Sequence, residues 1–143
     1  MTFENSKYSE LLEYKKITLN FGTFYITEHL IISELNEGIH VDHTLVSDIL
    51  STFSDLITED MRLGYIANRI NSYSFDPQLW LDFNNDHHYL VATAIVTYNT
   101  VNYMNATIEK QFFKNSLKRC DTVDEAIAWM QGLEEFDLQL TQS

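Results

Sequence analysis

Cysteine, proline, glycine and basic side chains are all scarce in this chain, and each shortage removes a class of function. One cysteine in 143 residues rules out an internal disulfide and any zinc site built on cysteines, and it fits a reducing compartment. One proline and four glycines set aside collagen-like and low-complexity chains and leave little material for a glycine-rich phosphate cradle. Nine lysines and arginines against 21 acids give a formal net charge of -12, a field that repels phosphate backbones and anionic lipid. Nucleic acid is therefore not an expected partner, and Lys114, Lys118 and Arg119, the main local basic group, read as a solvated patch. No run approaches the roughly 18 apolar residues of a membrane span, so no stable membrane insertion is expected. Met1-Thr-Phe-Glu-Asn-Ser-Lys7 has neither the basic nor the apolar region of a secretory signal, and a cytoplasmic location is the expectation.

What is present is a sequence with 45% hydrophobic residues and one outstanding apolar stretch, Tyr89-Leu-Val-Ala-Thr-Ala-Ile-Val-Thr-Tyr98. It is rich in β-branched and aromatic side chains and apolar at both alternating sets of positions. A strand of that kind is buried on both faces, which belongs to a parallel sheet with helices above and below. The rest of the chain can be arranged around it.

Residues 1–15 form an N-terminal arm, either a short helix or loosely ordered. Lys16–Leu19, Thr23–Ile26 and Leu30–Leu35 are then three short strands at hairpin spacing. Asp42 stands where a helix N-cap belongs, and Leu45, Ile49, Phe53, Leu56 and Ile57 recur at helical spacing from His43 to Ile57. Arg62–Ala67 reads as a second core strand, followed by a polar, turn-rich segment from Asn68. Asp76-Pro77 carries both an N-cap and a first-turn proline and opens a short helix with Leu79, Trp80 and Phe83, which Asn84-Asn85-Asp86 is expected to stop. After Asn99, Val101, Met104, Ile108 and Phe112 mark the expected inward face of a further helix. Ser116–Cys120 is an expected edge strand, where lysine discourages pairing. Thr122-Val-Asp-Glu125 is a capping box, and Val123, Ala126, Ile127 and Met130, with Trp129 beside them, form the face of a last helix that Gly132 ends. Strands alternating with helices predict an α/β fold: a small, mostly parallel sheet opened by an antiparallel hairpin and wound by four helices.

Trp80 on the short helix, the apolar Ala92 to Val96 of the central strand, and Asp124-Glu-Ala-Ile-Ala-Trp-Met130 on the last helix, together with the opening hairpin, resemble the SpoIIAA-like, or STAS/SEC14-like, group. These are small bacterial domains that share the fold of anti-sigma-factor antagonists. The resemblance covers roughly Lys16 to Leu133 and implies a single domain over 1–143, with a STAS-like core at about 16–133, the arm 1–15 and an acidic tail 134–143. It implies no cofactor, and the expectation is a non-enzymatic protein with an interaction or regulatory role. Anti-sigma-factor antagonists carry a phosphorylatable serine after an aspartate, between a core strand and a helix. Ser72 and Ser74 stand in the matching region, Asn68 to Pro77, without the Asp-Ser-Ser-Gly pattern.

Chemistry candidates are sparse. His40, Asp42 and His43, and His87 with His88, are read as solvated loop side chains, because adjacent histidines in a strand point apart and no third ligand stands at metal spacing. Cys120 is read as an inert, partly buried thiol. Aromatic residues are more informative. Phe75, Trp80 and Phe83 surround the short second helix, and Tyr98, Tyr103, Phe112 and Phe113 the third, so both groups are expected near the carboxyl end of the central strand, where open α/β sheets bind ligands. The principal expectation is an interaction or regulatory module, with Ser72, Ser74, Phe75, Trp80, Phe83, Tyr98 and Tyr103 as its candidate surface. The alternative is a carrier or sensor of an apolar, lipid-like small molecule in a pocket at that end. A homodimer is expected from the aromatic content and from Thr23–Ile26 as a strand edge with few charges.

Overall fold

The computed structural model describes residues 1–111 and 116–133. A six-stranded sheet runs in the order β1 (Lys15–Leu19), β2 (Gly22–Ile26), β3 (Leu30–Leu35), β5 (Leu63–Arg69), β7 (Leu90–Thr97), β8 (Ser116–Cys120). The first two pairings are antiparallel and the remaining three parallel. Two two-residue strands, β4 (His40–Val41) and β6 (Ser74–Phe75), pair separately. The helices are α1 (Tyr8–Leu11), α2 (His43–Thr52), α3 (Gln78–Asp86), α4 (Thr100–Lys110) and α5 (Val123–Gln131), with a 3-10 turn at Phe3–Asn5. Among the described residues no helix is long and apolar enough to cross a membrane.

β7 is the central parallel strand, and all eight of its residues are buried. The steps from β3 to β5, β5 to β7 and β7 to β8 all move the same way across the sheet, so right-handed crossovers place α2, α3 and α4 on one face. The core agrees: Phe53, Leu79, Trp80 and Ala106 pack with Ile95 on that side, while Val123, Ala126, Ile127 and Met130 of α5 pack with Ala92, Ala94 and Val96 on the other.

Local signals act as the residues require. The Leu45 amide donates to Asp42 Oδ1 at 3.0 Å and the Asn102 amide to Asn99 Oδ1 at 2.8 Å, each closing a free helix amide. The Glu125 amide donates to Thr122 Oγ1, while the Glu125 carboxylate reaches back one residue further than the box predicts, to the Asp121 amide.

Five expectations are corrected. The helix from His43 ends at Thr52, because Phe53 turns down into the core. Asn68 and Arg69 belong to β5 and are buried, Asn68 bonding Glu34 and Arg69 pairing through both Nη atoms with Glu109 while its Nε has no partner. α3 runs through Asn84-Asn85 to Asp86, and the His87 amide closes its last turn on the Phe83 carbonyl. Thr23–Ile26 lies in an interior strand; the edges are β1 and β8, which carry Lys15 and Lys16, and Lys118 and Arg119. The N-terminal residues, expected outside the packed core, contribute Phe3 to it at 0% exposure, its amide held by Glu34 Oε2 at 2.7 Å. Phe112, Phe113, Lys114 and the acidic tail 134–143 lie outside the described residues.

Candidate functional site

On the face covered by α2 and α3 the sheet presents Phe24, Ile31, Leu35, Tyr65 and Leu90, large side chains that hold the helices away from the strands. α2 covers them with Val46, Ile49 and Leu50, none fully buried, and no α2 residue reaches full burial. The helix packs on the core only through partly buried side chains, and an apolar recess of about 110 Å³ remains beneath it. Phe75, Trp80 and Phe83 all line this recess. Phe75 stacks on Trp80 with ring centres 5.2 Å apart, and Phe83 meets Tyr89 edge-on at 5.4 Å. Burial pushes the Tyr89 hydroxyl up to about 12, so it keeps its proton at neutral pH.

Past Trp80 the wall becomes polar. The Trp80 Nε1–H donates to Glu109 Oε1 at 3.0 Å. The same carboxylate receives Arg69 Nη1 at 2.6 Å and Nη2 at 2.7 Å, a two-pronged ion pair whose side chains are 3% and 2% exposed. The rings of Tyr73 and Phe75 lie 5.2 and 5.9 Å from the guanidinium. Burial opposes the Arg69 charge, but Tyr73 and the hydrogen-bonded Glu109 outweigh it and raise its pKa above the ordinary value. Tyr65 shares a 2.6 Å hydrogen bond with Ser33, and burial raises its pKa as well. This pair occupies the carboxyl end of β5 on the α2–α4 face. The recess reaches Leu90, the first residue of β7, so it lies along the sheet face and not at the carboxyl end of the central strand, where a pocket was expected.

The pair also sets the orientation of α4. Glu109 must point inward to meet Arg69, and Asn102 and Ala106 follow it, at 3% and 0% exposure. Met104 and Ile108, expected inward, are 61% and 49% exposed. Tyr103 borders them at 42%, its ring 4.2 Å from the Arg119 guanidinium.

The remaining candidate residues are dispersed. Tyr98 lies on the opposite face, its hydroxyl 2.7 Å from Asn68 Oδ1 and 3.0 Å from the Met1 carbonyl. Ser72 is exposed, its amide donating to Glu37 Oε2 and its carbonyl accepting from Gly38; Gly38 has φ +79°, the left-handed region that favours glycine. Ser74 is exposed on β6 with its Oγ 2.6 Å from His40 Nδ1. His43 faces Asp82 at 3.0 Å and His87 faces Glu59 at 2.7 Å. The His87 hydrogen bond holds the Glu59 carboxyl below its usual range. Among the described residues no three ligating side chains gather as a metal site. Cys120 is buried at 2% exposure, and burial pushes its thiol up to about 12.

No family model and no curated protein matches the chain. A crystal structure of an uncharacterised protein of the DUF3478 family with a SpoIIAA-like fold, from Shewanella loihica PV-4, superposes on it with a TM-score of 0.50. The alignment covers 82% of this chain and 92% of that one, at 8% sequence identity. The fold is SpoIIAA-like. Within that SpoIIAA-like frame, the residues that sequence reasoning missed are Arg69, Tyr73 and Glu109. One signal was available for the last: Glu109 is the only acid in an otherwise neutral or basic helix.

Proposed function

We propose that the protein is a non-enzymatic, STAS-like interaction module, and that it presents the outer face of α4 to a protein partner, first of all a second copy of itself. The reading is carried by the reversal of α4, which leaves Met104 and Ile108 in solvent while a carboxylate is buried. Turning the helix over would hide them but would strand Arg69 as an unpaired buried charge, so covering them falls to another molecule. Charge supports the choice of a second copy. α4 and β8 hold one acid between them, Glu109, and it is spent inside. In a chain of net charge -12 this is a surface on which two copies can meet without opposing carboxylates. A two-fold axis would lay α4 antiparallel on its copy, with Met104 and Ile108, one turn apart, as the contact ridge. The protonated, buried Cys120 thiol supports the absence of nucleophilic chemistry at that position.

Sedimentation equilibrium at micromolar concentration tests this. The expected mass is twice the 16.7 kDa of the chain, falling to a single chain in the Met104→Glu, Ile108→Glu double variant with its circular dichroism unchanged. A wild-type protein that stays at one chain mass in low and high salt removes self-association.

A further inference from the structure

Independently of the α4 face, we propose that the recess between α2, α3 and the sheet is a binding site for a compact apolar molecule, with room for about one aromatic ring or a short branched alkyl group. Size sets the upper bound. An engineered apolar cavity of roughly 150 Å³ takes up benzene, and the recess measures about 110 Å³. A diacyl lipid or a sterol is far too large for it.

The chemistry of the walls sets the class. Three lining side chains carry a polar group, Trp80, Tyr65 and Tyr89. The indole N–H already donates to Glu109, and the Tyr65 hydroxyl is already joined to Ser33. A ligand hydroxyl or amine placed against Trp80 or Tyr65 would lose its water without gaining a partner, so that wall selects against polar analogues and leaves Tyr89 as the one lining hydroxyl such a group could meet. The rings of Phe75, Trp80 and Phe83 offer faces and edges to an aromatic or branched aliphatic guest. Access is through α2, whose residues are at most partly buried, so the helix can shift with little loss of packing.

The ion pair behind Trp80 keeps this wall fixed. The indole is stacked on Phe75 and hydrogen-bonded to a carboxylate that Arg69 holds from the other side. A guest therefore meets a preformed aromatic surface on one side and a yielding helix on the other. That combination suits a sensor, in which occupancy is read as a change in how α2 seats.

The chain has two tryptophans, Trp80 and Trp129, so the Trp129→Phe variant makes Trp80 a sole reporter. Titrated with toluene in a sealed cell, this protein is expected to show a change in Trp80 emission and a rise in melting temperature that saturate together. In a Tyr89→Phe background, which removes the remaining lining hydroxyl, phenol, nearly the same size, should bind about tenfold more weakly than toluene, because its hydroxyl would be buried unpaired. Val46→Phe and Leu50→Phe place a ring in the recess from α2. Either, with near-ultraviolet circular dichroism showing a packed fold, should abolish the toluene response. The proposal is overturned by a folded Trp129→Phe protein with no saturable response, by phenol binding as tightly as toluene to the folded Tyr89→Phe background, or by an undiminished response in a folded filling variant. Failure of both filling variants to fold would overturn it too, since a true void accepts the added ring.

Discussion

The two faces of the sheet are built on different terms. Under α5 the strands offer Ala92, Ala94 and Val96, side chains small enough for the helix to come close, and Val123, Ala126, Ile127 and Met130 are all buried against them. Under α2, α3 and α4 the strands offer Phe24, Tyr65 and Leu35, one helix contributes no fully buried residue, and the layer closes over a recess and an ion pair. The recess leaves part of its apolar lining without packing partners, contacts that a filled core would gain. Enclosing two charges gains little over apolar packing of the same volume. A domain with only 5–15 kcal/mol of typical net stability does not carry both features for stability alone. The α5 face carries the closer helix packing, and the other face carries the recess and the ion pair on which the two proposals rest.

The largest effect that would test this contrast comes from the ion pair. Glu109→Ala leaves Arg69 charged in the core and should cost about 3 to 5 kcal/mol in urea unfolding. The Arg69→Met, Glu109→Leu double variant should recover most of that loss. If Glu109→Ala costs under about 1 kcal/mol, the pair is not what holds α4 in its reversed orientation.

The two tryptophans give an intermediate comparison. Trp80→Ala, at a side chain 4% exposed, should cost about 3 to 5 kcal/mol. Trp129 is only partly buried beside the α5 core, so Trp129→Ala should cost nearer 2 kcal/mol, and not the loss of a fully enclosed ring. Equal losses at both positions would show that the Trp129 ring is as enclosed as the Trp80 ring.

The smallest effect is in alkaline solution. Burial raises the Cys120 thiol from 9.0, and the Tyr98 and Tyr89 hydroxyls from 10.0, to about 12 in each case. The folded state thus binds these protons more tightly than the unfolded chain. Their contribution is complete below the unfolded values and is lost as pH climbs from about 9 towards 12. Stability in urea unfolding should be flat from pH 7 to 8.5 and then decline, by about 1 kcal/mol near pH 9.5 and chiefly through Cys120, since the exposure of Tyr98 screens its share. Cys120→Val should delay the onset to about pH 10, where the tyrosines begin to titrate. A midpoint that rises over this range would contradict the sign.

The sequence made legible the parts of the fold in which apolar residues alone decide the outcome. The continuous run from Tyr89 needs cover on both sides whatever surrounds it, and the capping box at Thr122 with the stripe Val123, Ala126, Ile127 and Met130 defines α5 locally. The candidate site was legible in three of its rings, Phe75, Trp80 and Phe83, because they surround one short helix. α4 was misread for a physical reason. Periodicity assumes that the apolar stripe faces in, and a carboxylate that finds an arginine 40 residues away outweighs Met104 and Ile108. Nothing near Glu109 in the chain reveals that partner. Phe3 was missed similarly: a single ring in a polar segment carries no periodicity, and its burial depends on Glu34, a strand residue 31 positions away.

Cys120, buried beneath α5 as the chain's one thiol, gives the molecule a built-in clock. A labelling reagent can reach it only while that side of the sheet stands open, so under conditions of rapid reclosing the labelling rate divided by that of a free thiol gives the open fraction. In the Trp129→Phe protein Trp80, by contrast, reports on the other side through its emission. Followed together in one sample, a spectral change at Trp80 without gain of label at Cys120 would register α2 lifting by itself, while simultaneous change would register the whole sheet coming apart. The opening free energies of the two layers are thus separable in a single protein without adding a probe site.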